Sequence, residues 1–137
     1  MAFRSTVLRR ALPAVPSSVT SLRADVAAFV SAAGIGEPLL TSVKLAVSEA
    51  VTNAVMHAYV GADQPGEVRL DARVLDERVF VTVADDGCGM VPRLDSPGLG
   101  VGLPFIAHTT DTLDIEAGDC GGTRLRMSFR MTVAAER

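Results

Sequence analysis

The sequence predicts a two-layer α/β sandwich, in which three helices cover one face of a mixed, mostly antiparallel sheet of four to five strands. Two observations lead to this fold class. Several segments alternate apolar and polar residues, as expected for strands with one buried and one solvated face. Two longer segments repeat apolar residues every three or four positions, which is the period of an amphipathic helix. A doubly wound parallel sheet would need continuously apolar strands, and the sequence has none.

The composition favours one globular domain spanning residues 1–137. The chain has 48% hydrophobic residues, 21% charged residues and a net charge of −3, which suits a single core at this length. The negative charge argues against binding of nucleic acid through its phosphate backbone. Cys88 and Cys120 lack the spacing of a zinc site, and no membrane span or signal-like segment stands out. We therefore expect a cytoplasmic protein with free thiols and no membrane contact.

The first strand is predicted between Ser5 and Ala14, at the edge of the sheet, because Pro13 cannot donate a ladder hydrogen bond. A helix follows, with Ser17 or Ser18 as its N-cap and Gly34 as its C-cap. Its predicted apolar stripe consists of Leu22, Val26, Phe29, Val30 and Ala33.

The central helix is predicted from Pro38 to the break at Gly61. Glu49, Asn53 and His57 follow at four-residue steps, so a carboxylate, an amide and an imidazole are expected on successive turns of one face. A polar stripe is most often the solvated face of a helix, but solvated faces usually carry complementary charge pairs, which this helix lacks. A buried or half-buried Glu49 would need a partner, for which a metal ion or a ligand is a natural candidate. The apolar stripe consists of Leu39, Val43, Val47, Ala50, Val51, Ala54 and Ala58.

The remaining strands form two predicted pairs. GEVRLDARVL and RVFVTVAD alternate cleanly and are joined by the tight Asp76-Glu77 link as a hairpin. TLDIEA and TRLRMSFRM close the chain, after a short helix over residues 101–108. The predicted inward residues are Val68, Leu70, Ala72, Val74, Val79, Val81, Val83, Leu125, Met127, Phe129 and Met131, and the predicted solvated face includes Arg124, Arg126 and Arg130.

Three glycine-bearing segments are candidate parts of a binding site. Residues 85–89, DDGCG, follow a strand and would place a carboxylate beside backbone that a flat ligand can approach, although a plain turn is the simpler explanation. Residues 98–102, GLGVG, open a helix and could bring backbone N–H groups to an anion, or form a flexible connector. Residues 121–123, GGT, are by themselves most often a bulge or hairpin turn.

The order of these segments after the Glu49/Asn53 helix resembles the GHKL ATPase superfamily, which includes gyrase, heat-shock chaperone ATPases, histidine kinases and the bacterial anti-sigma-factor serine kinases. The run VSEAVTNAVMHAY is similar to the N box of the anti-sigma-factor kinases, and the likeness extends from about Ser17 to Phe129. It implies the GHKL (Bergerat) ATP-binding fold, with MgATP as cofactor.

The resemblance also implies roles for individual residues. Asn53 would hold Mg²⁺, Asp85 would accept a hydrogen bond from the adenine amino group, and Glu49 would be the general base. Arg23 would lie at a partner interface. Further ATP-binding residues implied by the resemblance are His57, Gly87, Gly89, Met90, Gly98, Leu99, Gly100, Val101, Gly102 and Thr123; for His57, a hydrogen-bonded core histidine is an equal alternative.

The function implied is that of a serine/threonine kinase that phosphorylates a STAS-type anti-sigma factor antagonist, binds a sigma factor and forms a homodimer. One departure is the short segment MVPRLDSP between Gly89 and Gly98, where Arg93 is the sole cation. It keeps open a non-catalytic ATP-binding adaptor as an alternative. A structural interaction domain without nucleotide is the third hypothesis.

Overall fold

The computed structural model describes residues 7–87, 106, 109–117 and 121–131. Over these residues the chain forms five strands, two α-helices and one π-helical turn. In chain order they are β1 (Val7–Pro13), α1 (Pro16–Ala32), α2 (Leu39–Asn53), the π-helical turn (Ala54–Ala58), β2 (Glu67–Leu75), β3 (Arg78–Asp85), β4 (Thr112–Ala117) and β5 (Thr123–Arg130).

The strands form one sheet in the order β1-β2-β3-β5-β4, and all four pairings are antiparallel. The predicted fold class is therefore confirmed, as is the edge position of β1. The β2–β3 hairpin turns at Asp76 and Glu77, whose φ angles of 53° and 63° are both positive, as a type I′ turn requires. The third predicted helix, at 101–108, falls largely outside the described residues; Ile106 and Thr109 are helical there, and Ile106 is buried.

Both helices pack on one face of the sheet and share one core with it. Alternation along β2, β3 and β5 buries the predicted inward residues, with Val74 and Met131 only partly covered. The predicted stripe of α2 is also buried, except that Leu39 at its start is partly exposed. The segment Leu39–Ala58 is the one helix among the described residues long and apolar enough to cross a membrane, and its packing in this core explains that composition.

The start and end of α1 differ from the prediction. Val15 is the N-cap, and Pro16 occupies the first turn, where proline needs no backbone donor. The Ser18 hydroxyl does not cap the helix but donates to the Pro13 carbonyl at 2.6 Å, because Ser18 is buried against the end of β1. Ala33 is exposed rather than part of the apolar stripe. The C-cap is Ala33, and Gly34, the predicted C-cap, follows it with a φ of +89°.

The other face of the sheet is open to solvent and is called the outer face below. Arg124 and Arg126 of β5 both lie near Glu116 of β4, at 3.7 and 3.4 Å, and Arg9 of β1 lies 3.6 Å from Asp71 of β2. These side chains are half-exposed or more. The prediction that the β5 arginines lie on a solvated face is confirmed.

Candidate functional site

Asn53 at the end of α2 and Asp85 at the end of β3 line one small pocket between the helix layer and the sheet. Both residues are buried, each with 8% of its surface exposed. Three alanines of the helix form much of the wall, so the space beside the two polar side chains is not filled by bulky neighbours. The residues that line the pocket are Ala50, Asn53, Ala54, Ala58, Val83, Asp85, Thr123 and Leu125.

Asp85 is held by the backbone at the sheet end. Its register partner on β5 is Thr123, and its carboxylate accepts hydrogen bonds from the backbone N–H groups of Gly87, at 3.0 Å, and of Thr123. Burial raises the pKa of Asp85, and these two hydrogen bonds oppose the shift without cancelling it. The side chain is therefore a fixed acceptor whose ionised form would gain from a further donor.

Asn53 is the opposite case, because its amide has a group without a partner. Its Nδ2 atom is the one buried side-chain polar atom in the described part of the chain that makes no hydrogen bond. Burying an amide donor without a partner costs free energy, so an isolated orphan of this kind calls for an explanation. A water molecule, or a polar group of a ligand that reaches this small pocket, would supply the missing partner.

Asn53 also fits Mg²⁺ by its chemistry. Its amide oxygen is a hard donor, and Mg²⁺ in nucleotide sites takes few protein oxygens because phosphates and water complete its coordination. One amide at the pocket wall is therefore a sufficient protein contribution.

Two glycines bring backbone close to Asp85. A Cβ atom on Gly87 would lie 1.9 Å from the Ala58 carbonyl oxygen, and one on Gly122 would lie 1.8 Å from the Asp85 carbonyl oxygen. Gly122 also has a φ of +89°. Neither position can hold a side chain without displacing the backbone that bounds the pocket.

Glu49 lies one turn before Asn53 and is half-buried, as the sequence indicated, but it does not line the pocket. The regular four-residue spacing ends after Asn53, where the helix continues as a π-helical turn. His57 lies inside that turn, half-buried, and is also not part of the pocket wall. The α-helical period, which predicted His57 on the same face as Glu49 and Asn53, therefore does not apply to this residue. Turns of π-helix are frequent at functional sites.

The other predicted site residues divide into two groups. Arg23 is half-buried on α1 and donates to the Ser48 hydroxyl at 3.3 Å, beside Glu49 on α2. The second group lies outside the described residues: Gly89, Met90, Gly98, Leu99, Gly100, Val101 and Gly102. The same is true of Cys88, Arg93 and Cys120, which were not predicted to be site residues.

Three residues near the pocket escaped the sequence reasoning. Tyr59 directly follows the π-helical turn and bonds through its hydroxyl to the backbone of Asp86, whose carboxylate pairs with Arg69. Tyr59 and Asp86 are 27 positions apart, so no local pattern could indicate the contact.

The fold is that of a GHKL-type domain. Residues 12–129 match the family described as the histidine kinase-like ATPase domain. The chain is 33% identical over 120 residues to an anti-sigma F factor of Clostridium novyi, covering 80% of this chain and 83% of that protein. It is 39% identical over 101 residues to the serine-protein kinase RsbW of Bacillus licheniformis, covering 74% of this chain and 61% of the kinase.

A solved structure shows the same fold. The crystal structure of the RsbU and RsbW domains of Rv1364c from Mycobacterium tuberculosis superposes with a TM-score of 0.77 at 23% identity, covering 96% of this chain and 34% of that one. The chain belongs to the histidine kinase-like ATPase domain family, among its anti-sigma factors and related serine-protein kinases.

Proposed function

We propose that this protein binds MgATP and transfers the γ-phosphoryl group to a serine or threonine hydroxyl of an anti-sigma factor antagonist. The observation that carries the proposal is the convergence of Asp85 and the unpartnered amide of Asn53 on one pocket. The family membership supports ATP as the ligand, and the similar proteins named anti-sigma F factor and RsbW support the protein substrate.

Asp85 is assigned to the adenine. Its carboxylate already accepts two backbone hydrogen bonds, and a carboxylate has about four lone-pair sites, so it can also accept one from the exocyclic amino group. The lack of a side chain at Gly87 and Gly122 lets the backbone of Ala58 and of Asp85 pack directly against them, which fixes the backbone on either side of the Asp85 carboxylate. Thr123, which lines the same pocket, is assigned to the edge of the base.

Asn53 is assigned to the phosphate end, where its oxygen would hold Mg²⁺ and its Nδ2 group would donate to a phosphate oxygen or water. When bound, Mg²⁺ neutralises charge on the phosphates. His57 and the glycines at 98, 100 and 102 are proposed to act at the same end, on the strength of the family resemblance alone.

Glu49 is assigned as the general base. It lies one helical turn from Asn53 and is half-buried rather than fully solvated. The substrate hydroxyl oxygen forms a bond to the γ-phosphorus, Glu49 accepts the hydroxyl proton, and the bond from that phosphorus to the bridging oxygen breaks, releasing ADP.

The proposed partners are a STAS-type antagonist as substrate, a sigma factor, and a second copy of this chain. In the proposed cycle the protein holds the sigma factor or the antagonist, and phosphorylation releases the antagonist. Arg23 is proposed as a contact at a partner interface, with its bond to Ser48 fixing it beside Glu49.

Calorimetry with MgATP and MgADP, followed by transfer of labelled γ-phosphate to a candidate antagonist, tests the proposal. Glu49→Gln should preserve nucleotide affinity and lower the transfer rate by about 10²- to 10⁴-fold, the usual contribution of a general base. Asn53→Ala should weaken MgATP binding itself. Glu116→Gln makes the same chemical change on the outer face and should alter neither quantity.

Two results would overturn the proposal, each in favour of a different alternative function. Absence of heat with either nucleotide would leave a structural interaction domain. Nucleotide binding without transfer, with sigma-factor regulation that survives Glu49→Ala but not Asn53→Ala, would identify a nucleotide-binding adaptor.

A further inference from the structure

Tyr59 connects the end of the central helix to two other segments at the edge of the site. Its hydroxyl accepts a hydrogen bond from the Asp86 backbone N–H at 3.0 Å and donates one to the Glu67 carbonyl at 2.7 Å. Its ring lies against Gly66, where a Cβ atom would come within 2.4 Å of Cε1. The ring and the hydroxyl therefore have defined places, although Tyr59 itself does not line the pocket.

A second contact holds the same loop from the sheet side. The Asp86 carboxylate forms a two-point ion pair with the Arg69 guanidinium, with N–O distances of 2.7 and 3.1 Å. This pair lowers the pKa of Asp86. It is largely exposed to solvent, so it is expected to contribute little at physiological salt.

The third contact is direct packing of backbone on backbone. Gly87 lies so close to the Ala58 carbonyl that no side chain fits between them. Residues 86 and 87 are thus held on the end of the helix that carries Asn53, and Asp85 immediately precedes them. Of the three contacts, only the Tyr59 hydroxyl can be removed without changing charge or backbone.

We propose that Tyr59 is a positioning residue for the nucleotide site: its hydroxyl sets the separation between Asp85 and Asn53 by holding the Asp86 N–H on the end of the helix. The inference rests on the proposed nucleotide site. Because both residues bind nucleotide before any transfer, Tyr59 governs affinity for ADP and ATP rather than the rate of transfer from bound ATP.

The test is Tyr59→Phe, which keeps the ring against Gly66 and removes the hydroxyl. We expect the Kd for ADP, measured by calorimetry, to rise about tenfold, as for the loss of one to two ordinary hydrogen bonds. The KM for ATP should rise by a similar factor, while kcat at saturating ATP stays within about twofold of the wild type.

Thr112→Val is the matched control. It removes a hydroxyl that shares a 2.6 Å hydrogen bond with Ser128, toward the far end of β5 from Thr123. It should lower the midpoint of thermal unfolding without changing the Kd for ADP by more than about twofold. A loss of affinity in this control as large as in Tyr59→Phe would show that general destabilisation, and not positioning, weakens binding.

The single tyrosine of the sequence allows a second measurement on the unaltered fold. Growth with 3-fluorotyrosine labels Tyr59 alone, and its ¹⁹F resonance should shift when ADP saturates the protein, because the loop it holds directly follows Asp85, which lines the pocket. A wild-type Kd in Tyr59→Phe would overturn the inference, and if that variant does not fold, an unmoved resonance would do so. Absence of ADP binding to the wild type would reject the proposed function first, and this inference with it.

Discussion

The polar residues of the pocket and those of the outer face of the sheet have opposite surroundings. Asn53 and Asp85 are buried, one with an orphaned amide group and the other with a raised pKa. On the outer face, Glu116 lies between two arginines and remains about half exposed. In the pocket, the Nδ2 group of Asn53 lacks a partner among the described residues, and the buried Asp85 carboxylate accepts its hydrogen bonds from uncharged backbone N–H groups. The outer-face charges, by contrast, are paired with each other and exposed to water.

This contrast separates function from stability. A buried polar group that lacks a partner reduces the stability of the free protein by about 1–3 kcal/mol. A ligand that supplies the missing partner would offset this loss. A solvated ion pair contributes only about 0–1 kcal/mol and is readily replaced. Conservative substitutions in the pocket should therefore change ligand affinity, whereas those on the outer face should change neither ligand affinity nor stability by much.

The sharpest test of the contrast is Asp85→Asn. The substitution removes the charge that burial disfavours, so the free energy of unfolding of the free protein should stay the same or rise. An amide cannot offer the adenine amino group the same acceptor, and it places a donor near the N–H of Gly87. We expect the Kd for ADP to rise about 30- to 100-fold, equivalent to about 2–3 kcal/mol for hydrogen bonds to a charged group.

The control for this substitution is Asp71→Asn. Asp71 lies on the outer face, 3.6 Å from Arg9, with more than half of its side chain exposed. The affinity of the Asp71→Asn variant for ADP should equal that of the wild type. Equal losses of affinity in the two variants would contradict the assignment of Asp85 to the adenine.

The parts of this site that the sequence could predict are those encoded by local period and by motif order. Alternation was sufficient for the strands and their inward residues, because one face of each strand had to be buried. The resemblance was sufficient to bring Asn53 and Asp85 together. The true start of α1 was missed because the Ser18 hydroxyl lies inside the helix and donates to the Pro13 carbonyl at the end of β1, five positions earlier, instead of capping the helix.

The π-helical turn and the Tyr59 contact were beyond sequence reasoning for a different reason. Nothing in AVMHA distinguishes a π-helical turn from a continuing α-helix, and the close contact of Ala58 at its end with Gly87 joins residues far apart in the sequence. From the sequence, Tyr59 was predicted only to lie near the end of an apolar helix. Its partners are backbone groups of Glu67 and Asp86. Because backbone groups are the same in almost every residue, the sequence does not indicate which of them form such a bond.

Gly87→Ala is expected to have the next largest effect, which acts through the backbone that follows Asp85 rather than through the polar groups of the pocket. The new methyl group would overlap the Ala58 carbonyl oxygen, so the loop must move away from the helix end. We expect a loss of about 1–3 kcal/mol in the free energy of unfolding, typical of overpacking, and weaker ADP binding. Gly36→Ala is the control: a Cβ atom there meets nothing within 4 Å. Similar affinity losses in both variants would contradict the close fit of Gly87.

A smaller effect is expected from pH. Burial raises the pKa of Asp85 above its ordinary value of 3.8. The carboxylate is a stronger hydrogen-bond acceptor than the protonated carboxyl group, so ADP affinity should fall as the pH drops through this raised pKa. For the free protein the sign is reversed: the folded state holds this proton more tightly, so its contribution to stability falls as pH rises from the unfolded to the folded pKa. Both dependences should be absent from Asp85→Asn, as titration calorimetry and denaturant unfolding at several pH values would show.

Glu116→Gln should have the smallest effect and tests the other half of the contrast. The carboxylate lies 3.4 and 3.7 Å from two arginines, a geometry that would matter greatly if the groups were buried. Because all three side chains are about half exposed, water takes the place of the lost charge, and the free energy of unfolding should change by no more than about 0.5 kcal/mol. ADP affinity should be unchanged. A loss above about 1 kcal/mol in urea unfolding would mean that the charged residues of the outer face contribute to stability. The presence or absence of protein partners would then not be enough to distinguish the two regions.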